Sequence, residues 1–226
     1  AINRTILPKV PYDAVRDVQP IAQTNTGNQL LAVAPVLPVK SVRELIDHAK
    51  ANPGKLSNGS SGNGTPGHLA GELFKQMAGV QIVHVPYKGG AQAMTDMMAG
   101  QVHLIFESMS SISPHHRAGR LRGIGVTGPT RSTNFPDIPT IAESGLPGYD
   151  VTVWAGLITP RGVSKTVITK LNEAVNQAMT SPTLLEKYAA NGVDPVGGTP
   201  EAFGALIKRE VEKYAMIAKR LGAKVD

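Results

Sequence analysis

The chain has 226 residues, 41% of them hydrophobic and 18% charged, an ordinary globular composition with room for one large domain or two small ones, which excludes a disordered polymer. No apolar run approaches the roughly 18 residues of a membrane span, so direct membrane insertion is not expected, and no cysteine is present for disulfides or thiolate metal sites. The net charge of +6 and pI near 9.6 raise the question of nucleic acid, but Lys and Arg are dispersed and aromatics are only 4%, too few for base stacking, so small anionic ligands fit better.

Residues 1 to 29 read as loop-rich, with Pro8, Pro11, Pro20 and a polar run from Gln23 to Gln29. A basic region followed by an apolar core is missing at the N-terminus, so any leader is expected to have been removed. Leu30 to Ala34 is a continuous apolar run stopped by Pro35, the pattern of a buried strand. Ser41-Val-Arg-Glu44 is a capping box, and Val42, Leu45, Ile46 and Ala49 form the apolar face of a helix ended by Pro53-Gly54.

The stretch Lys55 to His68 holds Gly59, Gly62, Gly64 and Gly67 with Ser60, Ser61 and Thr65, after which Leu69, Leu73 and Met77 recur at helical spacing. It reads as strand, glycine turn, helix, with Thr65 as N-cap and Pro66 at the first helical position. Free backbone N–H groups and the helix dipole then face the turn and attract an anion. Gly62-x-Gly64-x-x-Gly67 matches the dinucleotide fingerprint, but Val85-Pro-Tyr-Lys88 occupies the region where the acidic ribose partner belongs. Gly59 to Thr65 resembles a phosphate-binding loop with Thr65 in place of its lysine. A small carboxylate is therefore favoured over a nucleotide and over a turn without a ligand.

Two more strand-turn-helix units follow. Gln81 to Pro86 is a strand, Tyr87 to Gly90 a turn and Ala91 to Ala99 a helix with Met94, Met97 and Met98 in its core face. Val102 to Phe106 is a strand with Glu107-Ser108 at its end, Ser111 to Ala118 a helix, and Leu121 to Thr127 another strand. Such alternation predicts a parallel sheet that binds ligands outside the carboxyl ends of its strands, where Gly59–Thr65, Tyr87–Gly90 and Glu107-Ser108 converge. Residues 128 to 149, with four prolines, form a long connection. Val151 to Thr159 is a second long strand, paired with Leu30–Ala34 so that the two carry the chain into and out of the βα block. Ser164–Met179, Thr183–Asn191 and Pro200–Leu221 are helices of another lobe.

The chain resembles the substrate-binding proteins of tripartite tricarboxylate transporters, the Bug receptors. The resemblance is carried by Val10-Pro-Tyr-Asp13, Gly59 to Thr65 with His68-Leu-Ala-Gly-Glu72, Val83 to Gly90, Pro136-Asp-Ile-Pro-Thr140, Gly145 to Tyr149 and Pro195 to Thr199. It implies an α/β, type II periplasmic-binding-protein-like fold with two lobes joined by two hinge strands. Residues 1–34 and 151–226 would form an incomplete lobe 1, and residues 35–150 a complete lobe 2. It further implies a periplasmic receptor that captures a small carboxylate (a di- or tricarboxylate, an aromatic carboxylate or an acidic amino acid) and delivers it to integral membrane permease subunits, with no catalysis and no cofactor. The family's N-terminal segment of one lobe, with a loop reaching the ligand carboxylate, is not in this sequence. Weakened or lost binding and an exposed sheet edge are expected from that.

On this resemblance Ser60, Ser61, Gly62 and Thr65 hold the ligand carboxylate through hydroxyls and backbone N–H groups. Tyr87 and Lys88 flank them, Lys88 neutralising charge. Glu107 and Ser108 stand at the third corner, where Glu107 sets specificity by accepting from a hydroxyl, amine or water on the ligand. Asn28 and Gln29 donate amides from the other lobe. His68 reads as a packed histidine, and His115 and His116 are adjacent and off a shared helix face, so no metal is assigned. Trp154 reads as core or hinge packing, and Lys208, Arg209, Lys213, Lys219 and Arg220, mixed with Glu210 and Glu212, as a solvated helix face. A non-binding interaction protein and a serine hydrolase or nucleotide-binding enzyme remain as alternatives. The sequence has no G-x-S-x-G elbow, and no histidine is assignable as a base for Ser60 or Ser61.

Overall fold

A computed structural model describes residues 11–133 and 135–221. They divide into two compact units, unit 1 containing residues up to Thr26 and from Trp154 onward, unit 2 spanning Gly27–Val153. Two strands carry the chain across this division. The first, β1 (Val18–Val33), has 16 residues and begins well before the apolar run that signals it in the sequence. Ile21 and Ala22 are fully buried, packing with Ile168 of α5 (Lys165–Ala178), so tertiary burial holds the polar segment between them and Gln29 in strand conformation. The second is β6 (Thr152–Pro160).

Unit 2 is a sheet of order β3-β2-β4-β1-β5, made with β2 (Leu56–Ser60), β3 (Ile82–Pro86), β4 (Leu104–Ser108) and β5 (Arg122–Val126). β2 is parallel to β3 and to β4. The sheet is mixed, however, and not wholly parallel: Gln29–Val33 of β1 is inserted antiparallel between β4 and β5. That half of β1 has both edges occupied, so the pairing of β6 with β1 falls on its earlier half and not on Leu30–Ala34. There Thr159 Oγ1 donates to the Gln19 carbonyl at 3.4 Å.

Alternation along the strands sends side chains to two helical layers. Leu31, Val33, Leu104 and Phe106 pack with α1 (Val42–Ala51) and α2 (Pro66–Ala78). Leu30, Ala32 and Ile105 pack on the other face with α3 (Gly90–Met98) and α4 (Met109–Arg117), where Met94 and Met97 are core residues. At the start of α1 the Ser41 hydroxyl accepts from the Glu44 N–H, and the Glu44 carboxylate reaches the Lys40 N–H at 2.8 Å, one residue outside the box expected from the sequence. The connection 128–149 returns to the sheet through a parallel bridge between Val126 and Thr140, and Tyr149, 1% exposed, donates its hydroxyl to the Ala70 carbonyl of α2 at 2.8 Å.

In unit 1, α6 (Pro182–Ala190), β7 (Val193–Gly197) and α7 (Pro200–Leu221) complete the described elements, and β7 also pairs β1. The sequence pattern gave no strand at β7, because Asp194, Pro195 and Val196 are exposed and leave no alternation to read. Trp154 packs edge-on against Phe203 at 5.8 Å and its Nε1 donates to Glu210 at 3.4 Å. Glu210 is 6% exposed, so the α7 face expected to be solvated buries one of its carboxylates. Leu157 and Ile158 of β6 are 41% and 47% exposed, which leaves apolar sheet surface open in unit 1.

Candidate ligand-binding site

Strand register assembles the site. Ser60 lies beside Pro86 and Gly59 beside Ile105 in the parallel pairs, and Gln29 lies opposite Ser108 in the antiparallel one. The carboxyl ends of β2, β3 and β4 and the start of β1 in unit 2 therefore share one edge of the sheet. Asn28 and Gln29 belong to unit 2, because the chain crosses at Thr26, ahead of the apolar run.

The glycine turn after β2 is closed by its own hydroxyls. Thr65 is the N-cap of α2, its Oγ1 donating to the Gly62 carbonyl at 2.8 Å, and Pro66 opens the helix as its missing N–H allows. Gly62 and Gly64 have φ of 126° and 75°, which a side chain would strain. Ser60 is fully buried, and its Oγ bonds both the Gly62 backbone (3.1 and 3.2 Å) and His84 Nε2 (2.7 Å). Ser61 and Gly62 are half-buried at the mouth of the turn. The first turn of α2 is pressed onto β4: a Cβ on Gly67 would lie 2.3 Å from the Phe106 carbonyl oxygen and 3.7 Å from Gln29 Nε2. Gln29 is 4% exposed and its Oε1 has no hydrogen-bond partner, an amide buried beside a helix N-terminus with acceptor capacity unused.

At the second corner Tyr87 donates its N–H to the Ser60 carbonyl at 2.9 Å and its hydroxyl to Asp96 at 2.8 Å. Burial, with the Asp96 carboxylate, pushes its pKa up. Lys88 is exposed. At the third, Glu107 Oε1 accepts from the Ser108 N–H at 2.8 Å, and the Ser108 hydroxyl meets that of Ser111 at 2.9 Å. A fourth corner, not singled out from the sequence, is added by Thr127: fully buried, it accepts from the Gln29 N–H at 2.9 Å, while Asn28 Nδ2 donates to the Thr130 carbonyl at 3.1 Å. Replacing Thr127 with valine leaves the buried Gln29 N–H without its acceptor, and a loss of about 1 kcal/mol in urea unfolding is expected.

His84 was also missed. Its ring stacks on His68 with centroids 4.0 Å apart, and His68 Nδ1 accepts from the Gly64 N–H at 3.0 Å, so both histidines support the turn from beneath. Burial is the main cause that lowers both pKa values, His84 to about 4. The Ser60–His84 pair has the spacing of a nucleophile and base, but the serine is inaccessible and its hydroxyl is committed to the turn.

A mixed α/β unit whose strand ends gather at the N-terminus of α2, entered and left along two strands, has the fold of the periplasmic binding proteins. The same fold appears in solved structures: the R. palustris protein Rpa4515 with adipate is 36% identical with a TM-score of 0.90, over 98% of this chain and 74% of that one, and the periplasmic binding protein BugD is 27% identical with a TM-score of 0.88, over 99% and 75%. The chain belongs to the tripartite tricarboxylate transporter family receptors (TctC), whose family description matches residues 2–223. Among curated relatives, a UPF0065 protein of Pseudomonas sp. strain P51 is 37% identical over 94% of this chain, and BugT of Bordetella pertussis 32% identical over all of it. The chain spans 64% and 69% of the length of those two relatives.

Proposed function

We propose that the protein is a periplasmic receptor that captures a small carboxylate at the first turn of α2 and passes it to the membrane permease subunits of a tripartite tricarboxylate transporter. The observation that carries this reading is the convergence of the glycine turn, the Tyr87–Gly90 corner and the Glu107-Ser108 corner on one sheet edge, at the N-terminus of α2. A carboxylate there would accept from the N–H and the hydroxyl of Ser61, and would meet the positive end of the α2 dipole. Lys88, at the rim, raises the rate at which anions arrive. The enzyme alternative is disfavoured by the burial of Ser60.

The test is calorimetric titration of the purified chain with a panel of mono-, di- and tricarboxylates, alongside mass spectrometry of whatever co-purifies after unfolding. Binding of at least one acid, with a matching rise in melting temperature, is the expected result. A panel without heat or melting shift at millimolar concentration removes the receptor reading from this chain and favours the non-binding interaction protein.

A further inference from the structure

Gly64 lies between Gly62 and the Thr65 cap in the turn that opens α2, and its N–H donates to His68 Nδ1 at 3.0 Å. A backbone N–H can only donate, so this bond fixes the ring: Nδ1 carries the lone pair and the ring proton sits on Nε2. That nitrogen faces Glu72 Oε1 at 3.8 Å. Among the described residues, the titratable and charged groups facing the ring are His84 of β3, stacked on it at 4.0 Å, and Glu72 and Lys75 of α2, themselves an ion pair. The ring is buried, held between the stack and the Gly64 bond.

The two histidines under the turn differ in what a proton does to their bonds. The partner of His84 is a hydroxyl. If His84 Nε2 becomes a donor, Ser60 Oγ accepts from it and from the Gly62 N–H and turns its own proton to the Gly62 carbonyl, using contacts of 2.7, 3.2 and 3.1 Å already in place. The partner of His68 cannot reverse. A proton on Nδ1 sets two donors against each other at 3.0 Å, so Gly64 has to move off the ring, and the closure of Thr65 on the Gly62 carbonyl goes with it. The positive charge that the ring gains attracts an anion, but Glu72 stands 3.8 Å away, and an attraction without direction does not restore the N–H and hydroxyl geometry of the turn. Loss of the turn decides the sign. Burial holds His68 below its ordinary value and His84 at about 4, so the His68 proton arrives only in acid and His84 is still neutral at pH 5.

We propose that His68 is a positioning residue of the ligand turn, its neutral Nδ1 holding Gly64 in the form that binds a carboxylate, and that a proton taken up there releases the ligand. This inference rests on the carboxylate reading of the α2 N-terminus given above.

The experiment titrates succinate and the rest of the carboxylate panel into the purified chain at pH 7 and pH 5. Two variants accompany the parent: His68→Asn, whose side-chain oxygen offers an acceptor near the place of Nδ1 and takes up no proton, and His68→Leu, which keeps bulk and removes the acceptor. The parent is expected to lose about threefold or more in affinity from pH 7 to pH 5 relative to His68→Asn; protonation of the acid itself is common to both and cancels. At pH 7 His68→Asn should bind close to the parent and His68→Leu about tenfold more weakly. Imidazole nitrogen NMR of the parent at pH 7 should show the His68 proton on Nε2. Melting curves at both pH values show which proteins are folded, and if His68→Leu is not, the parent against His68→Asn decides. A proton found on Nδ1, the same pH dependence in parent and His68→Asn, or a parent that gains affinity in acid over that variant overturns this inference and leaves the receptor reading in place. Failure of every acid to bind the parent at pH 7 overturns the receptor reading, and this inference with it.

Discussion

Alanine at Gly67 is expected to destabilise unit 2 by about 3 kcal/mol, the upper part of the range for overpacking a well-packed contact. The added Cβ would meet the Phe106 carbonyl oxygen at 2.3 Å and its carbon at 3.5 Å. Both are backbone atoms of a central strand, with no rotamer to change. α2 must lift from β4, and it takes with it Ala70 and Phe74, both fully buried in the core that Phe106 shares. For a chain of this size the loss corresponds to roughly 9 °C in melting temperature. Carboxylate binding should fall as well, because lifting α2 moves its dipole and the Thr65 contact to Gly62 that shapes the turn proposed to hold the ligand. Gly89→Ala is the matched control: its φ of 179° is extended backbone and its Cβ would have no atom within 4 Å, so a change within about 0.5 kcal/mol is expected. Melting of Gly67→Ala within 2 °C of the parent, with carboxylate binding retained, would show that α2 is not seated as described.

The second large effect is a loss of stability in mild acid. His84 is lowered to about 4 by burial first, then by the His68 and Lys75 charges, and His68 is lowered by burial, with Glu72 opposing and Lys75 adding to the shift. In the unfolded chain a histidine takes up its proton near pH 6.5, whereas folded His84 stays neutral until about pH 4. The unfolded state therefore binds more protons in this window, and stability falls as pH drops from 6.5 to 4 and levels off below. The full shift corresponds to about 3 kcal/mol, which partial exposure of the ring screens to about 2. Protonating His84 also places a positive ring 4.0 Å from that of His68 under the turn that holds Ser60. Asp17, held at about 2 by Arg16 and a backbone N–H, titrates below the window. Urea midpoints between pH 4 and 7 measure the slope, and His84→Gln should remove most of it. An unchanged slope in that variant would assign the acid sensitivity elsewhere.

Local chemistry was legible where neighbouring residues decide it. The Ser41 cap, the apolar face of α1, and Thr65 with Pro66 opening α2 all depend on residues within a turn of one another. Three candidate corners were legible because glycine and short polar residues at strand ends report turns wherever the strands end up. Nothing local announces that Ser60 meets His84 across 24 positions, that Thr127 takes the Gln29 N–H across 98, or that Glu210 receives Trp154 across 56.

By itself, then, the sequence determined which segments are strands and helices through most of unit 2, the anion-attracting start of α2 and the family resemblance, since each is written in periodicity or in contiguous motifs. The tertiary structure alone decided the antiparallel insertion of β1 between β4 and β5, its early start at Val18, and the stacking of His68 on His84. Strand partners and close approaches are chosen by burial of surfaces far apart in the chain. The energy of that choice is absent from any short window of residues.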